Sequence, residues 1–480
     1  MHRRPHLPTA AGLLLLSLAA TAQQGGWQVT MTELPLLPGG KYASAYAVNS
    51  NGKVLGVASD AAGSYHTVQW VNGQVSVIPD LVFGGLSVPE DLNDAGEGVG
   101  TQPIFSSLNH ALFWDAQNNP SELPGLPGSG SKEIAHAINA LGQVAGRAQE
   151  GMPNLYAHAV VWFQGALQSD LGFMGGGTYS EALGINDLGA VVGVANTSPN
   201  ATVRAFLWQN GQYTDLSTWS GGTVASRAHA INDGGTIVGL NANVASIWEN
   251  GAVKALPMPP GVSAFTPAID INDAGDIIAT GSKGFPDEVG VLWRDGTPID
   301  LGTLPGGTIS RARRISESGV IVGEARAADG FFKAVQWTVT PVATEYCTAK
   351  KNSLGCLPSI GMLGAPSASA GSGCALSVSN LVGGNLGIFI HSTTGAQALP
   401  FHAGLLCIQP PITRHGVLAT GGTSGSCSGV LSEDFNAYVA SGADPALVAG
   451  ADVWIQAWAR DPVAPFGDSL SDALATGVGP

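Results

Sequence analysis

Polar and apolar positions recur along this chain with a fixed beat. A short apolar run ends in Asn at Asn49, Asn93, Asn139, Asn186, Asn232 and Asn272, with Ser316 in the seventh place, at intervals of 40–47 residues. Three residues on, each copy has glycine: Gly52, Gly96, Gly142, Gly189, Gly235, Gly275 and Gly319. A second series keeps step with the first, at Trp70, Trp114, Trp162, Trp208, Trp248, Trp293 and Trp337. Self-similarity at this period marks a repeat architecture.

Each copy reads as four strands. Ala182 to Asn186 is a short strand, Asp187-Leu188-Gly189 its turn, and Ala190 to Val194 the strand that pairs back. After a variable loop, Arg204 to Trp208 is the third strand. Asn210-Gly211 supplies the positive φ angles of a tight hairpin, and Tyr213 to Leu216 is the fourth. Asn72-Gly73, Gln164-Gly165, Asn250-Gly251 and Asp295-Gly296 keep the same offset from their tryptophans. Two hairpins in each period match one blade of a β-propeller, and no helical periodicity intervenes.

The fourth strand ends in Leu at Leu81, Leu123, Leu171, Leu216, Leu256 and Leu301, one fewer than the blades require. The missing copy stands before the first blade, at Glu33-Leu34, and no such strand follows Trp337. Residues 28–34 are therefore expected to cross over and complete the last blade. That closes the ring and removes the sheet edge an open stack would expose. The expectation is an all-β, seven-bladed β-propeller over residues 27–341, closed by an N-terminal strand.

This pattern resembles the HAF family of extracellular repeats. His110-Ala-Leu-Phe-Trp114, His158-Ala-Val-Val-Trp162 and Arg204-Ala-Phe-Leu-Trp208 carry its middle element, within a likeness covering residues 28–338. The resemblance implies an exported propeller-like array and brings no activity with it.

Composition narrows the setting. Arg3 and Arg4, an apolar run from Leu13 to Ala20 and the small residues Ala20-Thr21-Ala22 read as a signal peptide over residues 1–22. Without it the chain has 18 basic residues against 35 acidic ones. Such a charge disfavours nucleic acid and anionic membrane surfaces. No stretch is long and apolar enough for a transmembrane segment. A secreted or cell-surface monomer is expected, with a glycan or a surface protein as partner.

After Pro341 the repeat stops and five cysteines appear: Cys347, Cys356, Cys374, Cys407 and Cys427. Residues 345–480 alternate as strands and are expected to form a small, disulfide-containing, β-sandwich-like domain. Spacing favours Cys347–Cys356 and Cys407–Cys427 as local staples, each contributing about 2–3 kcal/mol. Cys374 is left unpaired. This part is also similar to a C-terminal module of secreted planctomycete proteins, through Asn352-Ser-Leu-Gly-Cys356, Cys407-Ile-Gln-Pro-Pro411 and Gln456-Ala-Trp-Ala-Arg-Asp461. That likeness implies a surface or secreted setting rather than a reaction.

Candidate chemistry is sparse. Motifs for zinc proteases, nucleophile elbows and phosphate loops are missing, so no catalytic residue, metal or cofactor is expected. His66, His110 and His158 precede a repeat Trp by four residues, which points to bonds within their own blades. The segments from Asp91 and Asp270 faintly resemble calcium loops, but Ala95 and Ala274 stand at the fifth ligand position.

Residues that break the repeat are more informative. Two positions before the Asn column the chain has Ala47, Ala137, Gly184 and Ala230, but Asp91, Asp270 and Arg314 in the other blades. Asp270 and Arg314, on adjacent blades, are expected to pair across the channel wall. Arg311, Arg313 and Arg314 then form the candidate site for an anion or sugar acid. A non-enzymatic binding or scaffold protein is the leading expectation. The alternative is a carbohydrate-active lyase or glycosidase, for which Asp91 and Asp270 are the one carboxylate pair to nominate.

Overall fold

The computed structural model describes residues 19–24, 27–81, 85–105, 108–128, 132–151, 156–199, 201–222, 224–265 and 267–479. Residues 1–18 of the expected signal peptide lie outside these.

The described residues up to Pro341 form seven antiparallel sheets of four or five strands. Six are built from consecutive stretches of chain. The seventh takes its strands from both ends of the array: Trp27–Glu33 pairs with Phe332–Pro341, in a register that sets Met31 against Trp337 and Glu33 against Val335. The N-terminal strand thus lies where the leftover Leu copy placed it. Ala19–Gln24 adds a further, outermost strand to this sheet.

Inner strands of successive sheets touch one another, and the last, Ser310–Ile315, touches the first, Ala43–Val48. This is the arrangement of a β-propeller. The repeat residues explain it. Asn49 donates from Nδ2 to Asn93 O at 3.1 Å, and Asn93, Asn139, Asn186, Asn232 and Asn272 do the same to the next copy. Asn Oδ1 meanwhile accepts the backbone N–H four residues on, as from Lys53 and Ala190. One side chain therefore ties its own turn and stitches two sheets together. Ser316 accepts from Val320 N but has no amide to donate. The glycine of each turn sits at positive φ, as at Gly52 (79°) and Gly189 (74°), where a side chain would be strained.

Six repeat tryptophans are 0–1% exposed and pack between sheets, while Trp208 is half-buried. Trp70, Trp114, Trp162 and Trp293 donate from Nε1 to the carbonyls of Pro35, Pro79, Pro124 and Pro257. Each of these prolines follows the apolar residue that comes just after a fourth strand. In the first sheet that residue is Ile78, 2% exposed, and not Leu81. Ile78 N donates to Thr67 O as Leu123 N does to Ala111 O, so the apolar anchor is shifted by three residues.

Beyond Pro341, the strands Thr344–Tyr346, Asp468–Gly477, Asp452–Arg460, Leu386–Ser392 and Thr413–Arg414 make one sheet. Ser359–Leu363, Ala375–Leu381 and Gly429–Asp434 make a second. Residues of both, including Leu376, Val378, Phe389, Leu431 and Ile455, share one apolar core. The disulfides differ from the local staples expected: Cys347 joins Cys407 and Cys356 joins Cys427, with Cα separations of 6.3 and 6.4 Å. The two bridges connect segments 60 and 71 residues apart. The tertiary fold brings those segments together, and Tyr346 Oη donates to Cys407 O beside the first bridge. Cys374 is unpaired and buried, and burial pushes its thiol up to about 12.

Candidate functional site

The site begins with a backbone irregularity. In six of the seven inner strands the pairing register skips one residue three places before the repeat Asn (or Ser316). The skipped residues are Tyr46, Glu90, His136, Leu183, His229 and Arg313. In the sixth strand, where pairing starts at Asp270, Ile269 holds that place. A β-bulge frees a side chain from the ladder and re-aims it. All seven side chains line one cavity of about 460 Å³, together with Thr280, Glu288, Arg311, Ala312 and Arg314.

Because strands alternate in direction, loops between second and third strands lie at the same end as this cavity. The variable stretches 149–156 and 196–203 are such loops; residues 152–155 and 200 are outside the described ones. At the opposite end, a cavity of about 180 Å³ is lined by the Asn turns and by Asp94, Asp187, Asp233, Asp273 and Glu317. Most of these carboxylates accept a backbone N–H from the preceding sheet, as Asp233 does from Asp187 N at 2.8 Å. Burial, then the neighbouring charges of Asp273, Asp270 and Asp94, push Glu317 up to about 7.

Arg314 divides the two ends. The expected ion pair with Asp270 is replaced by one with Asp91, whose Oδ1 is 3.6 Å from Arg314 Nε. The guanidinium reaches across the channel, donating from Nη2 to His136 O at 3.4 Å, and this carries it to the second and third sheets. Asp270 spends both oxygens on backbone amides, those of Ile271 and Ile315. Asp91 likewise accepts from Leu92 N and Ile138 N. Although their sheets are not neighbours, the two carboxylates converge on Arg314. Burial raises Asp270 to about 6, with Arg314 opposing the rise and Asp91 adding to it.

The other arginines are also engaged. Arg311 Nε donates to Glu288 Oε2 at 2.5 Å and its Nη1 to Glu324 Oε1 at 3.1 Å. Arg313 Nη2 donates to the same Glu324 oxygen at 3.2 Å, and its guanidinium lies 4.3 Å from the Tyr46 ring centroid. Their charges are met within the protein, which weakens the case for a free anion site.

Two histidines of the cavity escaped the sequence reading. His136 Nε2 is 2.9 Å from Glu181, and although burial raises that carboxyl, His136 and then Arg147 hold it down at about 2. Burial, then the charges of Arg227, Arg314 and His136, lower His229 to about 4, so its ring is neutral at physiological pH. His66, His110 and His158 bond to Asp60, Glu122 and Asp170 of their own sheets, as their shared offset implied. In the segment from Asp270 to Asp276, Asp276 holds Arg294 and Asn272 ties its turn, so the oxygens serve separate partners. In the C-terminal part, His391 and His415 bond to each other at 2.8 Å, with Asp444 and Glu433 at the outer ends of the chain.

No family model matches this chain, and no curated protein matches it. Its fold is similar to those of several solved propellers. The β-propeller domain of the trilobed protease from Pyrococcus furiosus aligns at 9% identity and a TM-score of 0.38, covering 68% of this chain and 97% of that one. A gluconolactonase from Xanthomonas campestris aligns at 15% and 0.32, covering 58% and 96%. The six-bladed fucose-binding lectin of Aleuria aurantia aligns at 13% and 0.31, covering 63% and 95%. These proteins differ in function, and the chemistry of the present site is read from its own residues.

Proposed function

We propose that the chain is an exported, seven-bladed propeller of HAF-like repeats. It acts as a non-enzymatic binding protein, holding a glycan or a surface protein at the channel end where the inner strands begin. One observation carries this reading. Next to the bulge positions, the scaffold is uniform: Ala at six of the seven preceding positions and Val, Leu or Ile two residues after. At the bulges themselves the chain has Tyr46, Glu90, His136, Leu183, His229, Ile269 and Arg313, five polar or charged and two aliphatic. Packing of the ring does not ask for these side chains, yet all seven meet in one cavity.

A volume of about 460 Å³ falls in the usual range for small-ligand sites. The mixed lining suits a ligand with both an apolar face and hydroxyl groups. The absence of catalysis is supported by the use made of Asp91 and Asp270, whose oxygens hold backbone amides rather than standing ready for proton transfer. Export is supported by the leader-like N-terminus and by two disulfides, which persist in oxidising compartments. Cleavage after Ala22 removes most of Ala19–Gln24, the outermost strand of the seventh sheet.

A glycan array and a panel of purified surface proteins, probed with wild type, Arg313→Ala and Ile269→Trp, test this. Filling the cavity with Ile269→Trp should weaken binding by roughly ten-fold or more, and Arg313→Ala by less. Binding indifferent to both variants, or turnover of a polysaccharide, overturns the proposal.

A further inference from the structure

We propose a second ligand site in the C-terminal part, an aromatic stack of Phe401, His402 and Phe466 that takes the flat face of a pyranose ring from a neutral polysaccharide. The backbone is the first sign. The hairpin between Ala396–Phe401 and Gly404–Ile408 turns on His402 and Ala403, at φ 49° and 62°. Five other hairpins of this chain turn on Asn, Asp or Gln followed by Gly, whereas Ala242-Asn243, at φ 48° and 66°, turns without glycine as His402-Ala403 does. Phe466 sits at φ 69°, a rare conformation for a bulky side chain. Three strained residues meet at one patch, and such strain collects at ligand sites.

The rings are ordered. His402 stacks on Phe401 with centroids 3.9 Å apart and planes 16° from parallel, and on Phe466 at 5.2 Å and 10°. Trp458 meets Phe401 edge-on at 5.8 Å. Underneath lies Asp468, 4% exposed, which accepts from His402 Nδ1 at 2.5 Å, Lys350 Nζ at 2.6 Å and Trp458 Nε1 at 3.0 Å. One buried carboxylate pins two rings and absorbs the Lys350 charge. Phe466 nevertheless keeps 68% of its surface exposed and takes no part in the apolar core.

A glycine would make this turn without strain; the ring is held in place by the His402 stack and by the Lys350 ammonium, 5.8 Å from its centroid, while most of its surface stays open. What the ring offers is a rigid face with negative potential, which attracts the row of C–H bonds on one side of a pyranose. A protein hot spot fills a concave, desolvated pocket; here the ring stands on a turn with 68% of its surface exposed. A single planar ligand fits that setting. Lys350 is committed to Asp468 and to Pro465 O and the Arg414 guanidinium lies over the Trp458 ring, so neither offers a free charge at the Phe466 face, and the ligand is an uncharged sugar rather than a uronate.

Native affinity electrophoresis of the full chain in gels containing hydroxyethylcellulose, galactomannan, amylopectin or alginate tests the site. Wild type should be retarded by at least one neutral polymer. Phe466→Gly should weaken that retardation by roughly ten-fold while melting no lower than wild type, and Phe466→Trp should keep it. Ile269→Trp, which blocks the propeller cavity, should leave it unchanged, so failure of one site is separable from failure of the other. Retardation by alginate alone, by no polymer, or equally in Phe466→Gly overturns the proposal, as does its loss in Ile269→Trp.

Discussion

Asp270 holds a carboxyl whose pKa burial raises from 3.8 to about 6, with Arg314 too weak to cancel the effect and Asp91 adding to it. The folded protein therefore binds this proton more tightly than the unfolded chain. The stability so gained is complete below 3.8 and is lost as pH rises through 6. Asp270→Asn should raise the melting temperature at pH 8 and leave it nearly unchanged at pH 3.5; equal shifts at both would show that ionisation is not the cause. Asp91, Asp270 and Arg314 were legible because the repeat is its own reference, and a charge in a column of Ala and Gly stands out. His136 and His229 were not, because their column holds six residue types in seven copies and has no consensus to depart from. Only the skipped pairing in the strand reveals where those side chains go.

The inner strands show how one residue type serves two structures. Asn186, 5% exposed, accepts from Ala190 N at 2.9 Å inside its turn and donates to Asn232 O at 3.0 Å in the next sheet. Asn186→Ala should cost about 2 kcal/mol in urea unfolding, one net hydrogen bond on each side. A loss near zero would mean that water replaces both bonds. The strand count, the hairpin turns and the Trp register could all be read directly, since each depends on residues a few positions apart. The Leu81 column could not. Ile78 and Leu81 are both apolar, and only the hydrogen bond to Thr67 O shows which one anchors the strand.

Taken together, the sheets and the disulfide-bearing part illustrate contacts of very different sequence range. Cys356–Cys427 closes a loop of 71 residues. Replacing both cysteines by Ala should lower stability by about 4 kcal/mol if the bridge acts by restricting the unfolded chain. Peptide mapping without reduction should recover Cys347 with Cys407 and Cys356 with Cys427, whereas a Cys347–Cys356 peptide would contradict the fold. The leftover Leu copy at Glu33-Leu34 was enough to send the N-terminal strand to Trp337, across some 300 residues of chain, because the repeat left one vacancy and one candidate to fill it.

Periodic patterning determined the four-stranded unit, its number of copies and the partner of the first strand, since a hydrophobic period of two and an Asn–Gly turn constrain the backbone wherever they occur. Disulfide pairing, the partner of Arg314 and the convergence of the seven bulge residues were decided by the tertiary structure. These depend on distances between segments that share no local pattern. Such distances exist only once the sheets have packed, when burial and neighbouring charge set what each side chain meets.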